Sequence, residues 1–377
     1  MDSECSIMDS SSNEKHSEQQ NGIFILPDNL IIRILSELSW KDILNVRRVS
    51  RSFSNFIYEN YHLLDRRKLR GVSIECDENC EGCPFSVAIT YDAVARFMVW
   101  VPLHSQFPKK TINFQNDEEM SIFFKMFDMK NLYNLTIPVV DNIDIFDILT
   151  RSLQIGTKIT FLNVYRVAEK DFKSFRKFVG KFPRISDLSI YHLCFPSTKA
   201  KDVQSLLPSS SFRKIKSFSI KECHRTKILS ADFFTKLFRN SPKIEKFSIG
   251  SGNIEFLKSV FKQYFTVEQS RRLKDRYCYK EIRLELILNG KFKNLRNRFE
   301  RLCIDITNCS SELENVEEVG YKVRTMEWVD FKYIMDCKYC LEDRHKVKRI
   351  VTLQSFDNTC QEMGKPHYYY LSQMTKI

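Results

Sequence analysis

Glycine is scarce in this chain, with ten residues among 377. Glycine-built phosphate loops are therefore not expected, and neither G-x-G-x-x-G nor G-x-x-x-x-G-K-[ST] occurs. The chain also has no G-x-S-x-G and no H-E-x-x-H motif, and its seven histidines are scattered. No pattern of residues in the sequence predicts an enzyme.

Long hydrophobic runs are missing as well, and the longest is too short to cross a bilayer. The first 22 residues, MDSECSIMDSSSNEKHSEQQNG, lack the basic and apolar regions of a secretory signal, and their polarity predicts a disordered tail. Twelve cysteines without such a signal predict reduced thiols in a cytoplasmic or nuclear protein. No membrane partner is expected.

The net charge of +12 is the next feature of the composition. Basic residues are denser at 66–70, 271–283 and 344–349, and spots of this kind are usually solvated faces. No motif for contacting a nucleic-acid groove accompanies the charge, so nucleic acid is not the expected partner. A basic nucleic-acid-binding or scaffold protein is kept as the alternative hypothesis.

Two groups of closely spaced cysteines have the separation that zinc prefers. They are Cys76, Cys80 and Cys83 in the first group, and Cys337 and Cys340 in the second. A two-residue spacer lets two thiolates bind one zinc ion, but the groups lie far apart in the chain. The first group would need His62 or His104 as a fourth ligand. Reduced loop thiols are the stronger expectation, with no metal and no cofactor.

The middle of the chain repeats a short pattern, apolar-x-x-apolar-x-apolar. The five copies are LYNLTI from Leu132, ITFLNV from Ile159, ISDLSI from Ile185, IKSFSI from Ile215 and IEKFSI from Ile244. Their starts lie 27, 26, 30 and 29 residues apart, which predicts strands at regular intervals. Further strands are expected at 111–114, 281–286 and 302–306.

Helical patterns precede four of these strands. DIFDILTRSL, KDFKSFRKFV, KDVQSLL and ADFFTKLF place apolar residues three and four apart, and Asp144, Asp171, Asp202 and Asp232 open them. One helix–loop–strand unit cannot bury its own apolar faces, whereas stacked units can, which predicts a solenoid. A non-repetitive α/β domain with evenly spaced strands is the alternative.

These units resemble leucine-rich repeats, whose strands carry L-x-x-L-x-L. Cys223 stands where that family often has asparagine or cysteine. Val140, Val167, Leu193 and Gly252 depart from the pattern, so the repeats would be degenerate and without an asparagine ladder. The expected fold class is α/β, with an N-terminal trihelical unit followed by a leucine-rich-repeat-like solenoid of about 26–30 residues per repeat.

In such an array the residues that alternate with the buried ones form one shared face. The expected substrate contacts on that face are Phe161, Asn163, Tyr165, Asp187, Tyr191, Lys221 and Lys246. Polar side chains with interspersed aromatics suit a protein partner. A solvated face without a ligand is the alternative, and one sequence does not separate the two.

The densest pattern in the chain is ILPDNLIIRILSELSWKDILNVRRVSRSFSNFI, residues 25–57. Pro27 suits a helix start, Ser39 followed by Asp42 is a capping pattern, and Ser50 could cap a third helix. Three such short helices cannot bury all of their apolar side chains. The surplus predicts an interface, either with a partner or with the rest of this chain.

Residues 24 to about 60 of this stretch resemble the F-box without gaps. Asn29 stands where an acidic residue is frequent, and Phe53 where tryptophan is common. The resemblance implies that the helices bind a Skp-family adaptor and through it a cullin–RING ubiquitin ligase. The contact positions that it implies are Leu26, Pro27, Leu30, Ile31, Ile34, Leu35, Leu38, Ile43, Leu44, Val46 and Val49.

The expected organisation of the chain follows from these patterns. A tail spans 1–22, the F-box 23–68, a linker or capping region 69–110, the solenoid 111–310 and a C-terminal capping region 311–377. The resemblance implies a substrate-recognition subunit of a ubiquitin ligase, whose F-box docks on the ligase while the repeats bind a protein target. Catalysis then belongs to the partners.

Overall fold

The structure is a computed structural model that describes residues 22–76, 85–91, 110–138, 143–195, 214–223, 226–267, 281–290, 292–311, 316–323, 326–336 and 346–357. Two compact units divide the chain, Met1–Arg67 and Lys68–Ile377. Within the described residues, none of the helices combines the length and the hydrophobicity that a transmembrane span requires.

Short helices form the first unit. They are a 3-10 turn at Ile23–Ile25, α1 (Asp28–Ser36), α2 (Trp40–Arg47), α3 (Arg51–Asn60) and a second 3-10 turn at Tyr61–Leu63. The expected caps are present, since Ser39 Oγ accepts from the Asp42 N–H at 3.4 Å and Ser50 Oγ from the Phe53 N–H at 3.2 Å. Each cap satisfies a backbone donor that a helix start leaves unpaired.

The second unit alternates strands and helices. In chain order, together with the short strand β1 (Arg67–Lys68) at the boundary, its elements are β2 (Gly71–Cys76), β3 (Phe85–Thr90), β4 (Lys110–Phe114), α4 (Asp117–Lys125), β5 (Phe127–Asp128), β6 (Asn131–Ile137), α5 (Ile145–Ser152), β7 (Lys158–Ala168), α6 (Phe172–Gly180), β8 (Arg184–Cys194), β9 (Ser217–Glu222), α7 (Ala231–Asn240), β10 (Lys246–Ser251), α8 (Ile254–Thr266), β11 (Glu281–Gly290), α9 (Phe292–Ser311), β12 (Val316–Val323), β13 (Met326–Asp336) and β14 (Lys346–Asp357).

One sheet of twelve described strands organises this unit, in the order β12-β13-β14-β11-β10-β9-β8-β7-β6-β2-β3-β4. From β6 to β11 each strand pairs in parallel with the strand that follows it in the chain. The outer strands are antiparallel, β3 and β4 beyond β2 at one end and β13 and β12 beyond β14 at the other. A mixed α/β architecture with N-terminal helices and a large sheet is therefore confirmed.

The repeated apolar positions explain why the strands align. All fifteen of them, three in each of the five segments, are at most 2% exposed. They stand in register across the sheet, and one row runs through Leu135, Leu162, Leu188, Phe218, Phe247, Leu284 and Val351. Helical phenylalanines such as Phe175, Phe234 and Phe261 pack in the same core. Slipping one strand by one residue would expose its whole apolar row, so burial determines the register.

The expectation of a strand at 302–306 is wrong, because these residues belong to helix α9. Leu295, Phe299, Leu302 and Ile306 are buried and follow each other at intervals of three or four residues. That spacing puts them on one face of a helix, whereas a half-buried strand would bury alternate residues. A five-residue window shows too little of this pattern to distinguish the two.

Three of the four predicted helix-opening acids lie in described helices. Asp144 caps α5, since its carboxylate accepts from the Asp147 N–H at 3.0 Å. Asp171 occupies the capping position of α6 without a side-chain cap bond. Asp232 lies in the first turn of α7, and Ser230 supplies the cap instead. Asp202 lies outside the described residues.

A disulfide joins Cys194, at the end of β8, to Cys223, directly after β9, with a Cα–Cα distance of 5.2 Å. The expectation that all cysteines are reduced is therefore wrong for this pair. The two residues come together because β8 and β9 are neighbours in the sheet, which their separation of 29 residues in the chain does not reveal. Among the described cysteines, Cys309 is a buried free thiol.

Arg349 corrects the expectation that the basic residues at 344–349 form a solvated face. Its side chain is 4% exposed in β14. Nη1 donates to the carbonyls of Tyr264 and Phe265, and Nη2 donates to the carbonyl of Val267 at 3.1 Å. The guanidinium also lies 5.5 Å from the ring centre of Phe238. Arg349 thus satisfies carbonyls that the end of α8 leaves unpaired.

Replacing Arg349 should destabilise the second unit. We expect Arg349→Met to lower its free energy of unfolding by about 3 kcal/mol, because buried carbonyls would lose charged donors. Urea unfolding would measure the change. Arg283→Met is the matched control, since that arginine is exposed and should change stability by no more than about 0.5 kcal/mol. Equal effects of the two substitutions would contradict the capping role.

Candidate binding surfaces

The N-terminal helices leave apolar side chains exposed to solvent. Exposed residues among the eleven predicted contacts include Leu26 at 38%, Leu30 at 42%, Ile34 at 44%, Leu44 at 39% and Val49 at 72%. We call these five the exposed apolar set. Leu30 and Ile34 are four residues apart in α1 and therefore share one helix face. Apolar surface of this kind marks a place where another molecule can bind.

The remaining predicted contacts are distributed differently. Pro27 is exposed, whereas Leu38 and Val46 are half-buried. Ile31, Leu35 and Ile43 are at most 2% exposed and form the interior of the helical unit. They cannot offer a free surface in this conformation, although they hold the exposed residues in place. The assignment of the eleven residues to a partner stays a prediction.

The interior of this unit is completed by aromatic residues. Phe56 and Ile57 of α3 are buried with the three aliphatic residues. The ring of Phe24 lies 4.8 Å from that of Phe53 and 6.1 Å from that of Phe56. Arg47 also donates to the Tyr61 hydroxyl at 3.3 Å. The helical unit therefore contains an aromatic cluster around buried Phe56, in which the half-buried Phe53 takes part.

Polar residues cover the second surface, the side of the sheet opposite the apolar rows. We call it the polar face. One row of it runs in register across the parallel strands through Thr136, Asn163, Ser189, Ser219, Ser248, Glu285 and Thr352. Asn163 donates to the Asn134 side chain at 3.0 Å, and Asn134 donates to Thr136 at 3.1 Å. The row is thus built of small hydroxyl, amide and carboxyl groups.

Aromatic pairs flank this row. Tyr165 and Tyr191 stack at a centroid distance of 5.2 Å, and Lys221 Nζ lies 5.9 Å from the Tyr191 ring. Tyr133 and Phe161 meet edge to face at 5.1 Å. Tyrosine, serine and asparagine together suit protein recognition, because tyrosine offers a large contact at low entropic cost and the small polar groups adapt.

The seven predicted substrate contacts all lie among the described residues of this face. Lys246 is ion-paired with Glu285 at 2.7 Å. Burial is the largest influence on the neighbouring Lys221 and lowers its pKa.

Sequence reasoning missed Tyr133, although it immediately follows an apolar repeat position. The pattern apolar-x-x-apolar has two consecutive residues between its buried positions, and the predicted face included the second residue of each pair, such as Phe161. Tyr133 is the first residue of its pair.

Asp187 is the most unusual charged group of the polar face. It lies beside Phe161 of β7 and Ser217 of β9 in the sheet register. Burial raises the pKa of its carboxyl to about 6, against a lowering by the charge of Lys216 and a further raising by that of Glu245. A raised pKa in an acid means that the folded protein disfavours its ionised form.

Glu222 is a fully buried carboxylate with a structural role. It is 1% exposed and accepts from the backbone N–H groups of Ile228 and Leu229, each at 2.7 Å. The Ser251 hydroxyl also donates to it, and burial raises its pKa. Glu222 therefore satisfies backbone donors of the segment after β9. It lies one position before Cys223.

Metal binding has no support from the described residues, where no group of three or more histidines, cysteines or acids is placed to hold an ion. Cys76 lies in β2. The other cysteines of the predicted zinc groups, together with His104, lie outside the described residues.

Comparison with known families identifies the helical unit. Residues 23–70 match the family model described as F-box-like. The chain therefore contains an F-box-like domain at its N-terminal helices. No curated protein and no solved structure matches the chain.

The ionised form of Asp187 should reduce stability. Its folded pKa of about 6 lies above the value near 4 of an unfolded chain, so the cost is full above about pH 6 and disappears below about pH 4. We expect Asp187→Asn to stabilise the second unit at pH 7 by about 1 kcal/mol, after allowance for screening of a half-buried group. Urea unfolding at pH 7 and pH 4 would measure the difference.

The matched control for this substitution is Asp232→Asn, which removes an exposed carboxylate from helix α7. Because it faces solvent and favours the helix start, its loss should not stabilise the protein at pH 7. A destabilising effect of Asp187→Asn at pH 7 would contradict the burial argument.

Ile31 and Ile34 should differ sharply in their effect on the helical unit. Ile31→Ala removes a side chain that is 0% exposed and should destabilise α1 by about 2–4 kcal/mol. Ile34→Ala shortens a side chain that is 44% exposed and should cost no more than about 0.5 kcal/mol. Hydrogen exchange of the α1 amides would compare them. Similar protection in both variants would contradict this division between core and surface.

Proposed function

We propose that this chain is the substrate-recognition subunit of an SCF-type (Skp–cullin–F-box) E3 ubiquitin ligase. The observation that carries the proposal is the exposed apolar set on helices that match the F-box-like model. Five large aliphatic side chains facing water cost free energy unless a partner covers them. In this proposal the partner is a Skp-family adaptor, which connects the chain to a cullin–RING ligase.

The exposed positions supply the contact in this proposal. Leu30 and Ile34 present one face of α1, and Leu44 adds an aliphatic side chain from α2. Ile31 and Leu35 act indirectly, since they lie inside the unit and fix the orientation of α1. In α1 the buried residues Ile31 and Leu35 directly follow the exposed residues Leu30 and Ile34, so one helix contributes both to the interior and to the proposed contact.

The second unit would act as a degenerate leucine-rich-repeat-like solenoid that binds the protein target. Consecutive parallel strands, helical crossovers and in-register apolar rows support this assignment. The polar face then serves as the target-binding surface, with Tyr165, Tyr191 and Asn163 among its contacts. The chain itself needs no catalytic group and no cofactor, since it accelerates ubiquitin transfer by holding target and ligase near each other. A cytoplasmic or nuclear location fits this role.

Adaptor binding tests the proposal. We expect the full chain to co-purify with a Skp-family adaptor and Ile34→Asp to weaken that association at least tenfold, because a carboxylate would be desolvated in an apolar contact. Ile304→Asp is the matched control, since Ile304 is also a helical isoleucine, 61% exposed, in α9. It should retain the adaptor.

Two results would contradict the proposal. One is a full chain that does not associate with the adaptor, and the other is an Ile34→Asp variant that associates as well as the unsubstituted chain. Circular dichroism of both aspartate variants shows whether the helices are intact, so that a loss of binding is attributed to the contact rather than to unfolding.

A further inference from the structure

Asp187 stands on the polar face, where burial and the charge of Glu245 outweigh the favourable charge of Lys216. No described residue donates a hydrogen bond to its carboxylate or forms an ion pair with it. The nearest described cation on the same row, Lys246, is paired with Glu285 at 2.7 Å. Lys216 and Glu245, which follow apolar repeat positions just as Tyr133 does, influence Asp187 with opposite signs.

Two aromatic rings border this carboxylate. Phe161 is its register partner on β7. The Tyr133 ring meets Phe161 at a centroid distance of 5.1 Å and an interplanar angle of 69°. Burial and the charge of Asp187 both raise the pKa of Tyr133, which places its hydroxyl within the field of that charge. A negative group thus neighbours Phe161, whose ring in turn meets the Tyr133 ring at a steep angle.

A cationic side chain complements this combination. The negative faces of aromatic rings attract a cation, and a half-buried carboxylate adds the opposite charge. A guanidinium fits best, because it is planar, stacks on a ring and donates two parallel hydrogen bonds to one carboxylate. A lysine ammonium is a compact charge that cannot stack flat on a ring and donate two parallel hydrogen bonds to one carboxylate.

We propose that Asp187, Tyr133 and Phe161 form a subsite for an arginine side chain of the bound target. The inference rests on the proposed function, in that it treats the polar face as the surface that binds a protein segment. It specifies the chemistry of the target: an extended segment with an arginine that enters this subsite and pairs with Asp187.

The stacked tyrosines define a second position along the same strands. Tyr165 follows Phe161 by four residues in β7, which is about 13 Å along an extended chain. A bound segment that runs along the strands would therefore carry its arginine and an apolar or aromatic residue about four positions apart. Asn163 and Ser189 lie between the two positions and can bond to the segment's backbone.

Asp187 also has no evident value for the fold itself. Buried ionised groups usually repay their desolvation through a partner within the protein. Among the described residues Asp187 has no hydrogen-bond donor and no ion pair, and the charge of Lys216 does not offset its burial, so its ionised form is disfavoured in the folded state. A residue that opposes folding in this way indicates a role in binding.

Peptide selection with the full chain tests the subsite. Three pools of otherwise degenerate nonapeptides would carry a central arginine, lysine or citrulline, where citrulline has the shape of arginine without its charge. We expect the arginine pool to bind at least tenfold more tightly than the citrulline pool and more tightly than the lysine pool. Enriched arginine peptides should carry an apolar or aromatic residue about four positions away.

Variants assign the preference to the site. Asp187→Asn should abolish the advantage of arginine over citrulline, and Phe161→Ala should reduce it, whereas the control Asp232→Asn should leave it unchanged. Asp187→Asn does not weaken the fold by the argument above, so lost selectivity in that variant is attributable to the missing charge. An equal affinity of the arginine and citrulline pools, or an arginine preference that survives in Asp187→Asn, would overturn the inference.

The test separates this inference from the proposed function. If the chain binds the adaptor but does not prefer arginine, the subsite fails while the ligase role stands. If it prefers arginine in a manner that depends on Asp187 but does not bind the adaptor, the subsite stands and the ligase role fails. Ile34→Asp should retain the arginine preference, because its substitution lies in the helical unit.

Discussion

Burial of the apolar strand face by the next strand and its helix is the constraint on which the second unit depends. A single strand and its helix would leave apolar residues such as Leu135 exposed at the strand's edges. Neighbouring strands cover them, because Leu162, Leu188 and Phe218 lie in register with Leu135. Because side chains alternate along a strand, this one requirement determines the register, the layer of helices and the identity of the opposite face. Residues of the polar face can consequently be substituted without disturbing the packing of the core.

Both candidate surfaces contain side chains in environments that are unfavourable for them. On the helical unit, Leu30 and Ile34 face water although aliphatic residues prefer an interior. On the polar face, Asp187 is half-buried, and no described residue forms a hydrogen bond or an ion pair with its carboxylate. Departures of this kind lower stability, and a partner that covers the aliphatic residues or pairs with the carboxylate would recover the loss. The proposals for the adaptor and for an arginine-bearing target follow from the same physical argument.

Two buried charged side chains, Arg349 and Glu222, stabilise the second unit and belong to neither candidate surface. Arg349 binds the carbonyls at the end of α8, and Glu222 binds the backbone after β9. Both are charged residues in the interior, and each is surrounded by groups of opposite polarity. They show how charged side chains satisfy a helix end and a loop in the described part of the chain. Their roles are structural, and both are more deeply buried than Asp187, which is half-buried on the polar face.

The sequence by itself determined what depends on neighbours within a few residues. The strands from Leu132 onwards, the caps at Ser39 and Ser50, and the F-box-like helices follow from local spacing, which tertiary context did not override. The prediction of a strand at 302–306 is wrong because five residues are too few to distinguish a helical spacing of apolar residues from the alternation of a strand. Tertiary structure alone decided which residues meet across strands. It brought Cys194 to Cys223, buried Arg349 against α8, and placed Phe161 between Tyr133 and Asp187, because contacts between distant segments follow from the register and not from spacing in the chain.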